Sequence, residues 1–285
     1  MAKPRRGREP RPLGFYLLAA FFGLFVLFLY GPIATIVILS FQGPNGGLTF
    51  PMNGVSTHWF HNLFEQQAVG DFGGALTRSL SLGLIVMVVT VLFSVAAGLG
   101  FRHRFRGSGV VFYVAVASLI VPSILVSLGI GLMFNIVGFE PNWYSSALGA
   151  HLTWTLPFGL LIMFAIFNRF NRAYEEAARD LGATPWQTIR FVVLPIIAPS
   201  VIGIALFGFT LSYDEFARTL MTAGSFNTLP LEIYGMTTNV TTPVLYALGT
   251  LTTALSFLVI LAALGAVLLV QRRRARQGSD AGVGV

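Results

Sequence analysis

The side chains that could carry catalysis or bind a metal are few and scattered along this chain of 285 residues. It contains no cysteine, which excludes disulfides, thiolate metal sites and cysteine nucleophiles. His58 and His61 are three residues apart, but no third ligand accompanies them, so two interfacial histidines are favoured over a metal site. His151 stands alone in an apolar run, where a hydrogen-bonded core histidine is expected. Neither a catalytic constellation nor a metal site is predicted.

An acidic pair, Asp214 and Glu215, offers different chemistry at the end of an uncharged run. Carboxylates at such a place attract cations strongly where the dielectric constant is low. A pair that is merely solvated at a boundary is the alternative, and Arg218 could neutralise either carboxylate. From these residues alone, both interpretations remain open.

Long uncharged runs determine the kind of scaffold that holds these residues. Charged residues make up 10% of the chain, hydrophobic residues 55%, and the mean hydropathy is +0.75. Six runs contain no Asp, Glu, Lys or Arg: 12–64, 79–101, 107–139, 141–168, 191–213 and 233–271. Each can hold the roughly 20 apolar residues that a helix needs to cross about 30 Å of hydrocarbon. The sequence therefore predicts an all-α integral membrane protein with six transmembrane helices, since helices satisfy their own backbone groups in lipid.

Basic residues cluster in a way that predicts the orientation of these helices. With six spans, 16 of the 18 Lys and Arg residues fall on one side, and only Arg78 and Arg218 fall on the other. The positive-inside rule then places both termini in the cytoplasm. The formal charge of +7 could also suggest nucleic acid, but aromatic residues are not interleaved with the basic clusters, so no nucleic-acid partner is expected.

Composition divides the chain into four stretches. Residues 1–12 form a basic cytoplasmic tail, and residues 271–285 form a second cytoplasmic tail. Residues 13–74 hold the first helix, interpreted as an uncleaved span, and an extracytoplasmic segment rich in Gly, Asn and Pro. Residues 75–270 hold the other five helices, expected at about 75–101, 110–135, 147–167, 196–213 and 245–270. No internal repeat is evident, which weakens the case for an inverted-repeat secondary transporter.

A polar island at residues 168–195 interrupts the apolar runs and predicts a helical elbow. Residues 171–181 are rich in strong helix formers, and Gly182 fits the left-handed position that follows a helix. A second helix start follows at once, with Thr184 as N-cap, Pro185 as first helical residue and Gln187 as capping-box partner. A solvated connector is the alternative. A rigid elbow, by contrast, could transmit a push from a soluble partner into two spans.

The spacing within the island is specific. Glu176-Ala177-Ala178 is followed by Gly182, and residues 192–195 read Val-Val-Leu-Pro. This pattern resembles the EAA loop of binding-protein-dependent ABC importer permeases of type I, from which it departs by Val192 in place of Ile. The resemblance covers residues 75–270, a permease core with one additional N-terminal helix and a coupling loop at 171–195.

The resemblance implies that the elbow is a coupling helix seated in a cleft of an ATPase subunit. Glu176 would meet a basic residue of that ATPase, and Gly182 would permit the close turn. The coupling residues that it implies are Glu175, Glu176, Ala177, Ala178, Asp180, Gly182, Thr184, Pro185, Leu194 and Pro195.

A second resemblance concerns the acidic pair. Residues 212–216 read Ser-Tyr-Asp-Glu-Phe, and residues 229–234 read Leu-Pro-Leu-Glu-Ile-Tyr. Both are similar to the spermidine/putrescine branch of these permeases, although Tyr213 departs from the Leu usual there. A cationic solute would need carboxylates along its path, so a solute pathway past Tyr213, Asp214 and Glu215 is predicted.

The resulting prediction is a transmembrane permease subunit of an ATP-driven ABC importer. It would move a small polar, cationic solute, such as the polyamines spermidine or putrescine, inward by alternating access. A permease for another small solute is the first alternative. An ion-coupled secondary transporter or channel is the second, but it would need intramembrane carboxylates that spans two to four lack.

The resemblance also implies partners. These are a second permease in a heterodimer, two ATPase subunits, an extracytoplasmic solute-binding protein and the lipid bilayer, in the plasma membrane of a prokaryote. The chain is not expected to be an enzyme. It carries no Gly-x-x-x-x-Gly-Lys-Ser/Thr loop, and Lys3 is its only lysine, so no cofactor is expected here and ATP with Mg²⁺ would bind the partner ATPase.

Overall fold

The computed structural model describes residues 12–65, 70–102, 105–239 and 243–280, and every regular element within these ranges is helical. The elements in chain order are α1 (Leu13–Leu39), α2 (His58–Asn62), α3 (Phe72–Phe101), α4 (Ser108–Ala117), α5 (Ser123–Val137), α6 (Ser146–Arg169), α7 (Ala173–Asp180), α8 (Pro185–Thr188), a π-helical turn (Ile189–Val193), α9 (Leu194–Tyr213), α10 (Leu229–Asn239) and α11 (Val244–Asp280). Of the predicted tails at 1–12 and 271–285, residues 1–11 and 281–285 lie outside the described residues, and residues 271–280 continue α11.

Five helices in the described part of the chain are long and apolar enough to cross a membrane. They are α1, α3, α6, the continuous stretch Pro185–Tyr213, and the part of α11 within Val244–Ala266. The all-α integral membrane fold predicted from the uncharged runs is confirmed.

The third predicted span is not one continuous helix, as the sequence analysis expected. It consists of α4, with 10 residues, and α5, with 15 residues. At about 1.5 Å per residue, each is shorter than the roughly 30 Å hydrocarbon core. Pro122 explains the break, because proline lacks a backbone N–H and disfavours helical geometry in the residue before it.

The chain forms two compact units. The first comprises residues 1–65 and 241–252. In it the fully buried Gln42 organises the outer segment, since its amide donates to the Gly47 carbonyl at 3.1 Å and accepts from the Asn53 backbone N–H at 2.8 Å. The Tyr246 hydroxyl donates to the Leu48 carbonyl at 2.6 Å and joins the start of α11 to this segment.

The second unit, residues 66–240 and 253–285, is built around α3, α6 and α9. Small residues let these helices approach closely, as is usual between membrane helices. A Cβ placed on Gly98 of α3 would lie 2.8 Å from the Cβ of Met163 in α6. Thr90 of α3 donates to Thr155 of α6 at 2.9 Å, so the buried hydroxyls are paired across the same interface. This packed trio positions the elbow, which connects α6 to α9.

Candidate functional site

The first helix of the elbow, α7, ends in the turn that the sequence predicts. Gly182 has φ +84°, the left-handed conformation that glycine adopts without steric cost. Its N–H donates to the Arg179 carbonyl at 2.8 Å, and the Ala183 N–H donates to the Ala178 carbonyl at 3.0 Å. These two bonds form a Schellman motif and satisfy carbonyls at the helix end. The predicted role of Gly182 as the helix terminator is confirmed.

The second helix of the elbow, α8, begins with the predicted capping box. The Gln187 N–H donates to the Thr184 hydroxyl at 3.3 Å, and the Thr184 N–H donates to the Gln187 side chain at 2.8 Å. The helix continues through the π-helical turn into α9, where the Leu194 N–H reaches back to the Ile189 carbonyl. Pro195 has no N–H to continue the α-helical ladder, which explains the local change of register.

Most of the predicted elbow residues lie on an exposed surface. Glu176, Ala177, Asp180, Gly182, Thr184, Pro185 and Pro195 are exposed or partly exposed, and Ala178 and Leu194 are partly buried. Large apolar side chains share this surface: Leu181 is 90% exposed and Trp186 is 64% exposed. A helix-turn-helix that presents both acidic and large apolar side chains has the composition of a docking surface for another protein.

Glu175 differs from its neighbour Glu176, because its carboxylate is turned toward its own chain. It forms an ion pair with Arg102, the C-cap residue of α3, and both side chains are only 12% exposed. The Arg102 guanidinium also lies over the rings of Phe167 and Phe170, at 4.7 and 5.1 Å from their centroids. Sequence reasoning missed Arg102, because the pair joins residues 73 positions apart and no local spacing signals it.

The second candidate site lies at the end of α9 and contains Asp214. This residue is exposed and lines a cavity of about 260 Å³ together with Phe209, Tyr213 and residues of α11. The hydroxyl of Tyr213 is buried, and none of the described residues hydrogen-bonds to it. The rings of Phe209 and Tyr213 stack in parallel with centroids 5.8 Å apart. Partial desolvation raises the pKa of Asp214 above its ordinary value. The cavity is therefore lined by an acidic residue and aromatic residues, which suit an amine.

Glu215 is paired within its own chain. It is 7% exposed, accepts from the Arg218 backbone N–H at 2.8 Å, and lies 3.8 Å from the Arg218 guanidinium. Burial raises the pKa of Glu215 and lowers the pKa of Arg218, and their mutual attraction opposes both shifts. Of the acidic pair, only Asp214 faces the cavity.

Arg218 connects the segment after α9 to the broken third span. Its guanidinium donates to the Ser123 hydroxyl at 2.7 Å and to the Thr153 hydroxyl at 3.3 Å. It also lies 4.6 Å from the centre of the Trp154 ring. The nearby His151 is the hydrogen-bonded core histidine predicted from the sequence, with its two ring nitrogens 2.8 Å from Ser212 Oγ and 2.9 Å from Thr219 Oγ1.

The two histidines near the start of the chain, His58 and His61, are not gathered into a metal site. His58 Nε2 lies 3.1 Å from the amide of Asn62 and its ring packs against Trp59. Among the described residues, no three His, Cys, Asp or Glu side chains lie close enough together to hold a metal ion.

Helices long and apolar enough to cross a membrane, with an exposed elbow joining two of them, are the arrangement expected of a transporter's membrane component. Comparison with known proteins agrees. The chain belongs to the family of binding-protein-dependent transport system inner membrane components, whose sequence profile matches residues 90–276.

Relatives of known identity extend this match over most of the chain. The spermidine/putrescine transport system permease protein PotC of Haemophilus influenzae is 31% identical over 248 residues, covering 85% of this chain and 93% of that protein. The putrescine transport system permease protein PotI of Escherichia coli is 30% identical over 238 residues, covering 79% of this chain and 81% of that protein.

Solved structures show the same fold at lower sequence identity. A subunit of a bacterial ABC transporter that imports the acidic polysaccharide alginate matches with a TM-score of 0.68 and 17% identity, over 90% of this chain and 94% of that one. A chain of the MetNI methionine ABC transporter matches with a TM-score of 0.55 and 21% identity, over 68% of this chain and 93% of that one.

Proposed function

We propose that this chain is the permease subunit of an ABC importer that carries a polyamine such as spermidine or putrescine inward. Its termini lie in the cytoplasm, in agreement with the placement of 16 of its 18 basic residues. It pairs with a second permease and works with two ATPase subunits, which bind ATP and Mg²⁺, and with an extracytoplasmic solute-binding protein. Alternating access requires that these partners contact the permease differently in its two states.

The proposed docking site for an ATPase subunit is the elbow. Glu176 and Asp180 are exposed there beside Leu181 and Trp186, so a partner can both pair with a carboxylate and cover apolar surface. Gly182 sets the angle between α7 and α8, because its φ of +84° is unfavourable for a residue with a side chain. A push on this surface would reach α6 and α9 through the continuous backbone.

The proposal for the solute class rests on one observation: the exposed Asp214 lines a cavity together with the aromatic residues Phe209 and Tyr213. A protonated amine can pair with the Asp214 carboxylate, and its methylene chain can pack on the aromatic rings that line the cavity. The sequence relatives named above are polyamine permeases, which supports the same solute. The solved structures come from transporters of unlike solutes, and at their low identity they support the fold alone.

Replacing Asp214 by Asn tests the solute proposal. A hydrogen bond to a charged group contributes about 1.5–3 kcal/mol, so we expect a roughly ten- to hundred-fold loss in apparent affinity for labelled putrescine. A neutral analogue of similar length should be affected much less. Glu140→Gln removes another exposed carboxylate and is the matched control. Equal losses for the cation and the neutral analogue would remove Asp214 from the solute pathway.

Charge reversal at the elbow tests the docking proposal. We expect Glu176→Lys, and separately Gly182→Val, to abolish ATP-driven uptake in proteoliposomes while membrane insertion continues. Binding-protein-stimulated uptake per ATP hydrolysed is the measurement, and Glu140→Lys is the control for a charge reversal elsewhere. Full uptake by both variants would refute the assignment of the elbow as the coupling surface.

A further inference from the structure

A cavity lies beside the elbow ends of α3 and α6. Its volume is about 610 Å³, and its lining includes Gly98 and Phe101 of α3 and Phe164 and Phe167 of α6. The two helices still touch beside this cavity, since the centroids of the Phe101 and Phe164 rings are 5.4 Å apart. Arg102 also lines the cavity, which places its side chain next to both the end of α6 and the start of the elbow.

The side chain of Arg102, which lies at this cavity, contacts both α6 and α7. Its guanidinium lies over Phe167 and Phe170, the last of which is the C-cap of α6, and it pairs with Glu175 in the first turn of α7. The planar guanidinium can stack on rings and pair with a carboxylate at the same time, which a lysine ammonium does less well. One side chain of α3 thus holds both the end of α6 and the beginning of α7.

The same carboxylate has a second basic neighbour that is much less constrained. Arg179 lies 3.7 Å from Glu175 and its side chain is 58% exposed, against 12% for Arg102. Solvent screens exposed ion pairs far more than mostly buried ones, so the ion pair of Glu175 with Arg102 is stronger than its pair with Arg179.

We propose that Arg102 is a positioning residue that fastens α3 to the elbow, so that the two move together through the transport cycle. This inference rests on the proposed coupling role of the elbow. A push on α7 reaches α6 and α9 through the backbone, and α3 packs against both of these helices. The Arg102–Glu175 pair adds a direct connection from α7 to α3.

A set of substitutions tests the fastening in the whole reconstituted transporter. Arg102→Ala and Glu175→Gln should each lower putrescine uptake per ATP hydrolysed by at least about fivefold, the lower end of usual couplings between sites. The double variant should be no worse than either single one, because both remove the same interaction. Arg102→Lys, which keeps the charge, should fall in between. Arg106→Ala is the matched control, since Arg106 is exposed in the same basic turn. The proposal would be overturned if Arg102→Ala lowered uptake per ATP no more than Arg106→Ala does. It would also be overturned if the losses of the two single variants added up in the double variant.

A covalent tether provides a test that does not depend on the strength of the ion pair. The chain has no native cysteine, so Arg102→Cys and Glu175→Cys can be joined selectively by a short bis-maleimide. We expect this tether to restore the uptake per ATP that the two substitutions remove. Further inhibition by the tether would mean that the two positions must separate, which contradicts the proposal.

The crosslinking yield distinguishes failure of this proposal from failure of the solute assignment. Yields should be equal in nucleotide-free and vanadate-trapped transporter, and this comparison needs no solute. A yield that collapses in one state overturns the fastening. The unmodified transporter could instead fail to take up putrescine while the crosslinking yields stay equal in both states. That result would refute the assignment of a polyamine as the solute and would still support the fastening of α3 to the elbow.

Discussion

Removing one member of the buried pair Glu215–Arg218 should destabilise the protein far more than removing both. Glu215 is 7% exposed and Arg218 is 2% exposed, so neither charge can be solvated when its partner is lost. Loss of one partner of such a pair typically costs about 3–5 kcal/mol. We expect this cost for Glu215→Gln, and the lower end of the range for Arg218→Met, because burial already raises the pKa of Glu215 and favours its protonation.

The double variant Glu215→Gln/Arg218→Met should lie within about 2 kcal/mol of the wild type, since replacing a whole buried pair by groups of similar size is often nearly neutral. The glutamine introduced at position 215 carries no charge that needs a partner. Its amide oxygen can still accept from the backbone N–H at position 218, as the carboxylate of Glu215 does at 2.8 Å.

Unfolding by SDS in mixed micelles, followed by tryptophan fluorescence, measures how much each single variant and the double variant change the free energy of unfolding. Trp154 reports locally, because Arg218 lies 4.6 Å from the centre of its ring. Transition midpoints rather than amplitudes should be compared, since loss of the guanidinium changes the signal of this tryptophan directly. If the double variant costs the sum of the single costs, the two side chains do not stabilise each other and the reasoning is refuted.

Two further predictions concern packing and pH. Gly98→Ala should cost about 1–3 kcal/mol in the same unfolding assay, because its Cβ would lie 2.8 Å from that of Met163, whereas Gly100→Ala, with no atom within 4 Å, should cost much less. Equal costs would contradict the close approach of α3 and α6. Partial desolvation raises the pKa of Asp214 above its ordinary value of 3.8. Acidification should therefore protonate Asp214, and weaken putrescine uptake, already at pH values above 3.8. Asp214→Asn should remove that component of the pH profile, and an unchanged profile would contradict it.

The elbow could be predicted almost residue by residue, because its signals are local. The left-handed Gly182 and the capping box of Thr184 and Gln187 act within one helical turn, and the structure contains both. The length of an uncharged run was less informative for the third span. Counting apolar residues predicts one helix there, but Pro122 divides it into two shorter helices.

Contacts between distant residues could not be predicted from the sequence. Arg102 and Glu175 are far apart in the chain, and each has a simpler explanation in the sequence. Arg102 belongs to a basic turn beside the membrane, and Glu175 forms a helix-stabilising i, i+4 pair with Arg179. The bonds of His151 to Ser212 and Thr219 likewise depend on how α6, α9 and the following segment pack. The sequence indicated that His151 would be hydrogen-bonded, but not to which residues.

Adjacent acidic residues divide their roles in the same way at both candidate sites. At the elbow Glu175 is held by Arg102 while Glu176 is exposed, and at the end of α9 Glu215 is held by Arg218 while Asp214 is exposed. Successive residues on the helix α7 point about 100° apart, so Glu175 can turn inward while Glu176 faces outward. Asp214 and Glu215 follow the last residue of α9, and there the chain leaving the helix turns Glu215 inward. The inward carboxylate fixes the backbone that presents the outward one. Neutralising the inward member should therefore act first on stability or on the coupling between helices, whereas neutralising the outward member should act on binding of a partner or a solute.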